Sequence, residues 1–304
     1  MSLDLCAFAG WPNCLRLANE AVELVVTLDV GPRIIHFAAP GGENVLKINA
    51  DELGGRGEPE FQARGGHRFW LAPENERTYA PDNDSVEHSV DDDGAVRLVN
   101  AAASPWFIEK ELTVKLDANT SRVTLEHRAS NRGSEPTLLA TWALTVMRAG
   151  GLEIIPQPPM GQHPRDLLPN RLIVPWPYTD LSDERWRWGR DFITLEQRAA
   201  APPAKCGLAH RERWVGYAVG DALFVKTFGF EEGANYPDFG CNFETFTDAE
   251  MLEVETLSPL RTLAPGESLA HSETWHLVQP VTPLVATDEP ALTAWLAPHL
   301  AGIL

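Results

Sequence analysis

Three features of the chain predict an all-β fold, a large antiparallel β-sandwich with little helix, laid out as one domain over residues 1–304. Apolar and polar residues alternate with period two along most of the length, and turn residues cut that alternation into short runs. Helical periodicity emerges only over residues 290–300.

Taken in order, the first runs are Leu15 to Leu17, then residues 22–28, 33–37 and 44–48, separated by Asn19-Glu20, Gly31-Pro32 and Pro40-Gly41-Gly42. This is the pattern of a meander of short antiparallel strands. Residues 85–90 and 95–100 flank Asp91-Asp92-Asp93-Gly94, and an Asp-Gly pair suits the positive φ of a hairpin turn. Residues 111–116 and 122–129 flank Asp117-Ala118-Asn119-Thr120 in the same manner. Residues 137–146, 151–155, 214–219, 222–228, 251–257 and 268–278 complete the expected strands, the last two joined by a turn at Pro265-Gly266. Residues 157–177 and 180–205 read as long irregular segments, a length that in a compact domain marks functional loops. The tract at 199–204, AAAPPA, reads as a linker bend.

The 304 residues are 44% hydrophobic, enough for a substantial core, and the net charge of −18 repels nucleic acid and anionic membrane surfaces alike. A small neutral ligand suits such a chain. Cys6, Cys14, Cys206 and Cys241 form neither a CxxC pair nor a zinc-like spacing, so a reducing, cytoplasmic setting is expected and no structural metal. Dinucleotide and phosphate-loop motifs are missing from the sequence, and no cofactor is expected.

Sugar binding needs flat apolar faces for the C–H side of a ring and planar polar groups for its hydroxyls. Ten tryptophans are available, and several stand beside such groups. The stretch Arg64-Gly65-Gly66-His67-Arg68-Phe69-Trp70-Leu71-Ala72-Pro73-Glu74 alternates Arg68 and Trp70 on one side of an extended segment. Its two glycines allow a tight turn or a close approach. Asn235, Tyr236, Asp238, Asn242 and Glu244 interleave aromatics with amides and carboxylates, as a ligand loop does. Glu253 and Glu255 lie two apart among apolar neighbours and so share one strand face. Trp142, Trp214 and Trp275, on apolar strands, are expected in the core; Trp70, Trp186 and Trp188 in a cleft. Lys226 is expected at the surface. His271 and Glu273 share a strand face and with His67 form a weak metal-ligand pattern, for which no third ligand is set by spacing.

In order along residues 15–278, these features resemble the galactose mutarotase-like (aldose 1-epimerase-like) superfamily. The Leu17-Ala18-Asn19 opening with Gly31-Pro32-Arg33-Ile34-Ile35 resembles its N-terminal meander. Gly65-Gly66-His67-Arg68 is similar to the Gly-rich segment whose arginine enters the sugar cleft, and Glu253-Val254-Glu255 through Glu273-Thr274-Trp275 to the closing strands with a late catalytic glutamate. The resemblance implies a large supersandwich and a carbohydrate-binding protein, either an aldose epimerase or a non-catalytic sugar-binding module. It implies Glu255 as base, with His67 or Tyr236 as candidate acid, and Arg68, Trp70, Glu74, Asn235, Tyr236, Asn242, Glu244 and Glu253 as substrate-binding residues. The family's central-strand histidine has no counterpart in residues 138–147, which sets this chain apart from the epimerases themselves.

Overall fold

The computed structural model of the protein describes residues 1–100, 106–284 and 288–304. Its strands are β1 (Ser2–Phe8), β2 (Trp11–Ala18), β3 (Glu23–Thr27), β4 (Arg33–Ala38), β5 (His67–Ala72), β6 (Glu87–Val90), β7 (Val96–Asn100), β8 (Ile108–Leu116), β9 (Val123–Asn131), β10 (Thr137–Met147) and β11 (Leu152–Pro156). There follow β12 (Ile173–Pro175), β13 (Trp186–Trp188), β14 (Phe192–Glu196), β15 (Ala204–Leu208), β16 (Trp214–Val219), β17 (Ala222–Phe228), β18 (Phe243–Thr247), β19 (Leu252–Leu257), β20 (Arg261–Leu263) and β21 (Ser268–Val278). One α-helix, α1 (Glu289–Leu300), closes the chain, its N-terminus capped by the Asp288 carboxylate accepting from Ala291 N.

All named strand pairs are antiparallel. An eleven-stranded sheet runs β1-β2-β3-β4-β5-β10-β19-β18-β15-β12 with β20 beside β10, and a ten-stranded sheet runs β13-β14-β11-β16-β17-β21-β9-β8-β7-β6. Their facing sides bury one continuous core from Leu15 and Leu24 through Phe224, Phe243 and Trp275. Helix α1 packs Leu292 and Leu296 on the outer face of the ten-stranded sheet, against Ile154, Trp214 and Val225.

The expected all-β class and most strands are present, with three differences. Residues 44–48 make only isolated bridges, Leu46 to Met147 and Ile48 to Gly65, because they lie across the ends of β5 and β10 rather than along a partner. The expected strands 251–257 and 268–278 are not a hairpin: β19 joins the larger sheet and β21 the smaller, with β20 between them. The segments expected to be irregular contain β12 to β14, and the bend at 199–204 leads directly into β15. These short strands lack an alternating apolar pattern long enough to show in the sequence.

Gly65 and Gly66 explain the turn into β5. Both have positive φ, +76° and +70°, and a Cβ on either would press into the carbonyl oxygens of Lys47 and Ile34. Only glycine fits. Arg33, fully buried, donates to the carbonyls of Ala63 and Gly65 at 2.6 and 2.8 Å, fixing the turn from behind.

Between the sheets lies a polar bridge that links β5, β10 and β19 to β9, β17 and β21. Lys226, fully buried rather than at the surface as expected, reaches across to Thr145 Oγ1 at 2.6 Å and the Val254 carbonyl at 3.0 Å, and pairs with Glu273 at 3.1 Å. Glu273 also accepts from Thr256 Oγ1 at 2.7 Å and Trp275 Nε1 at 2.7 Å. Burial, the largest single influence, raises this carboxyl, but Lys226 together with the neighbouring His67, His127 and His271 more than offsets it and holds Glu273 below the usual range.

The histidines complete the bridge with proton positions that follow from their partners. His127 Nδ1 must donate to the His271 carbonyl (3.3 Å), so its Nε2 accepts from His67 Nε2 (2.7 Å). His67 Nδ1 then accepts from the Thr145 hydroxyl (2.9 Å), which accepts from Lys226. All three imidazoles are neutral in this arrangement, and burial holds His67, His127 and His271 below the usual histidine value.

Removing one partner of a buried pair strands the other charge. Lys226→Met is expected to cost about 3–5 kcal/mol in urea unfolding, and Lys226→Met with Glu273→Gln to recover most of that loss. A double variant as unstable as the single one would show that the charge pair is not what the fold depends on.

Candidate functional site

Strand alternation turns the other half of the same residues outward. On β5, His67 and Phe69 face the interior while Arg68 and Trp70 face out; on β19, Val254 and Thr256 face in while Glu253 and Glu255 face out. With outward residues of β10, β15 and β18 they form a cleft on the outer face of the eleven-stranded sheet. Arg68, Trp70, Glu74, Tyr79, Trp142, Tyr178, Lys205 and Glu253 line a cavity of about 270 Å³. A second cavity of about 210 Å³, lined by Lys47, Asp248 and Glu250 among others, shares Arg68, Met251 and Glu253 with the first.

Two ion-pair groups organise the cleft. Arg68 donates to Glu253 Oε1 at 2.8 Å and lies over the Trp70 ring, 4.3 Å from its centroid. Lys205 lies 2.8 Å from Glu244 and 2.9 Å from Glu255, over the rings of Trp142 (4.6 Å) and Trp176 (4.9 Å). The same Glu255 oxygen, Oε2, also accepts from Trp142 Nε1 at 2.9 Å. Trp70 packs on Trp142 (5.4 Å), Tyr79 (5.2 Å) and Phe61 (5.3 Å). Several polar atoms here lack a hydrogen-bond partner among the described residues: Arg68 Nε, Trp70 Nε1 and Glu255 Oε1.

Burial raises Glu244 to about 8, against the opposing pull of Lys205 and with the Glu255 charge adding to the rise. Burial also raises Glu255, again against Lys205. The two carboxylates in turn hold Lys205 charged in spite of its burial. Two carboxyls sharing one ammonium in a dry site do not both ionise readily.

The structure brings Arg68, Trp70, Glu74 and Glu253 together at the cavity wall, with Glu244 and Glu255 fully buried directly beneath Lys205 and Trp142. It separates the rest. His67 is on the opposite face of β5, inside the sandwich, and cannot act as the acid opposite Glu255. Tyr236 is buried, stacked on Phe230 at 5.7 Å, with its hydroxyl accepting from Glu231 N at 2.8 Å. Asn242 brackets a turn, accepting from His210 N at 2.6 Å and donating to the carbonyls of His210 and Gly229. Asn235 is exposed and lends its backbone carbonyl to Leu260 N at 2.7 Å.

The tryptophan assignment is partly reversed. Trp142, expected in the core, floors the cleft, because β10 is apolar on both faces and carries no alternation to show which side a residue takes. Trp186 and Trp188, expected in a cleft, stack on each other at the edge of the ten-stranded sheet, 5.0 Å between centroids. Arg64 and Arg185 are buried structural groups paired with Glu58 and Asp183. Lys205, Tyr79 and Tyr178 had no signal of their own in the sequence.

His67, His127 and Glu273 offer ligand atoms within 4.8 Å of one another. Two imidazoles and a carboxylate are a zinc-type donor set, but in this structure all three are engaged in the bridge. His67 Nε2 carries the proton shared with His127, and Lys226 already neutralises Glu273.

No protein-family model and no curated protein sequence matches the chain. Solved structures do. A TPR-domain containing protein from Parabacteroides distasonis aligns at TM-score 0.60 with 13% identity, over 91% of this chain and 49% of its own. The chain thus spans about half the length of that protein. A galactose mutarotase-like protein from Lactobacillus casei aligns at TM-score 0.56 with 10% identity, over 88% of this chain and all of its own (100%). Another from Clostridium acetobutylicum aligns at 0.55 with 10% identity, over 91% of this chain and 98% of its own. The fold is the galactose mutarotase-like supersandwich, as the sequence resemblance implied. Among the described residues no helix is long and apolar enough to cross a membrane.

The shifted groups predict a stability maximum near pH 6.5. Below it the histidines, normally 6.5 but depressed when folded, bind protons only in the unfolded chain, so stability falls as pH falls. Above it Glu244, raised from 4.5 to about 8, holds a proton only in the folded chain, so stability falls as pH rises to 8, at up to about 1.4 kcal/mol per unit. Glu244→Gln is expected to flatten the decline between pH 6.5 and 8 in urea unfolding; an unchanged slope would remove Glu244 as its source.

Proposed function

We propose that the cleft on the eleven-stranded sheet binds a carbohydrate. The observation that carries this reading is the pairing of Arg68 on Trp70 with Glu253, beside Lys205 over Trp142. It presents planar charged groups and aromatic faces together at one small cavity. At about 270 Å³ the cavity lies below the roughly 300–1,000 Å³ of sites for drug-sized ligands, a size suited to one sugar ring. Ion pairing orients the Arg68 and Glu253 side chains in advance, so a ligand hydroxyl meets donors and acceptors already in place. The four cysteines are free thiols, which fits a reducing, cytoplasmic setting.

A second reading, aldose 1-epimerase, is favoured by the raised pKa of Glu255 and by the mutarotase-like names of the matched structures. It requires a base and an acid on either side of an anomeric centre. Glu255 has no exposed surface, being closed over by Lys205 and Trp142, and neither His67 nor Tyr236 reaches the cleft. The binding reading is therefore the better supported of the two.

NMR titration with a panel of aldoses is expected to give saturable shifts, weakened about tenfold or more by Trp70→Ala, with no acceleration of anomer exchange. Acceleration that disappears in Glu255→Gln would replace the binding reading with the epimerase. No saturable binding by any sugar would remove both.

A further inference from the structure

On the reading that the cleft binds a sugar, we infer that its preferred ligand is an amino sugar, held by its ammonium at Glu74 between Tyr79 and Tyr178. Every cation at the cavity wall is already neutralised: Arg68 by Glu253 at 2.8 Å, Lys205 by Glu244 and Glu255 at 2.8 and 2.9 Å, and Lys47 by Glu250 at 2.7 Å. No cation among the described cleft residues is left for the phosphate of a sugar phosphate or the carboxylate of a uronic acid. At Arg68 or Lys205 a bound anion would have to take the cation from a buried carboxylate; Lys47, whose partner Glu250 is exposed, is the weaker barrier.

Glu74 is the reverse case. It is exposed at the wall of the cavity, makes no ion pair among the described residues, and accepts one hydrogen bond, from the Tyr79 hydroxyl. Tyr178, half-exposed on the same wall, has its phenol raised chiefly by burial, with the charge of Glu74 among the smaller influences in the same direction. Phe61 and Trp70 back the Tyr79 ring at 5.7 and 5.2 Å. A carboxylate among aromatic faces is the environment that attracts an ammonium, by charge and by the ring quadrupoles together.

Calorimetric titration of the full chain at about pH 6.5 with D-glucosamine, N-acetyl-D-glucosamine, D-glucose and D-glucose 6-phosphate tests this. Glucosamine is expected to bind about tenfold more tightly than its N-acetyl form, with the phosphate weakest. That preference should shrink as salt is raised to about 0.3 M. Glu74→Gln should bring the ratio of glucosamine to N-acetylglucosamine affinity close to one. A ratio near one in the native chain, or a preference that survives Glu74→Gln, overturns the amino-sugar inference while leaving sugar binding in place. Failure of all four sugars to bind overturns both.

Discussion

The ion pair between Lys226 and Glu273 lies on neighbouring strands of the ten-stranded sheet, β17 and β21, and joins it to the other sheet through Lys226 to Thr145 and the Val254 carbonyl and through Thr256 to Glu273, at the level where β5, β10 and β19 run side by side. Around it Thr145, Thr256, His67, His127 and His271 form hydrogen bonds whose directions are set by the carbonyls and carboxylate at their ends. A charged pair in a dry core is tolerated only when its remaining donors and acceptors are occupied, and here the hydroxyls and imidazoles occupy them. The register of three central strands is tied to this network, since a shift by one residue would bring Arg68, Trp142 or Glu255 into the core and send His67, Thr145 or Thr256 out.

The cleft is the outward half of that same arrangement. Because the inward side chains hold β5, β10 and β19 in register, Arg68 stands against Glu253 and Trp142 against Glu255 with little freedom to adjust. Lys205 arrives from β15, two strands beyond β19 in the sheet, and reaches back over Trp142 and Trp176 to two carboxyls. The result is a wall in which positive charge is paired internally while the Glu74 carboxylate and the Tyr79 and Tyr178 rings are left exposed. Glu153 is a separate feature: it is fully buried beside Thr245, and burial raises its carboxyl well above the usual range. We have no physical account of its presence.

Much of this arrangement is legible in the chain. Period-two alternation specifies the sandwich, the Gly65-Gly66 pair announces a backbone with no room for side chains, and the spacing of Arg68 with Trp70 and of Glu253 with Glu255 assigns each pair to one face. Other features are not legible, for reasons visible in particular residues. Trp142 lies on a strand apolar on both sides, and Lys205 follows a Pro-Pro-Ala bend that reads as a linker. Asn242 and Tyr236 carry the right chemistry for a ligand loop but spend it on their own turn.

Local sequence by itself thus determined the strands, their turns and which neighbours share a face, because alternation and glycine geometry act over a few residues. Which face became core and which became cleft was decided only by tertiary structure. His67 and Arg68 are adjacent and both polar; one is in the interior because His127 and Thr145 are there to receive it, and the other is outside because Glu253 and Trp70 are. His127, Thr145 and Glu253, 60 to 185 residues away along the chain, made that choice, and no local pattern records them.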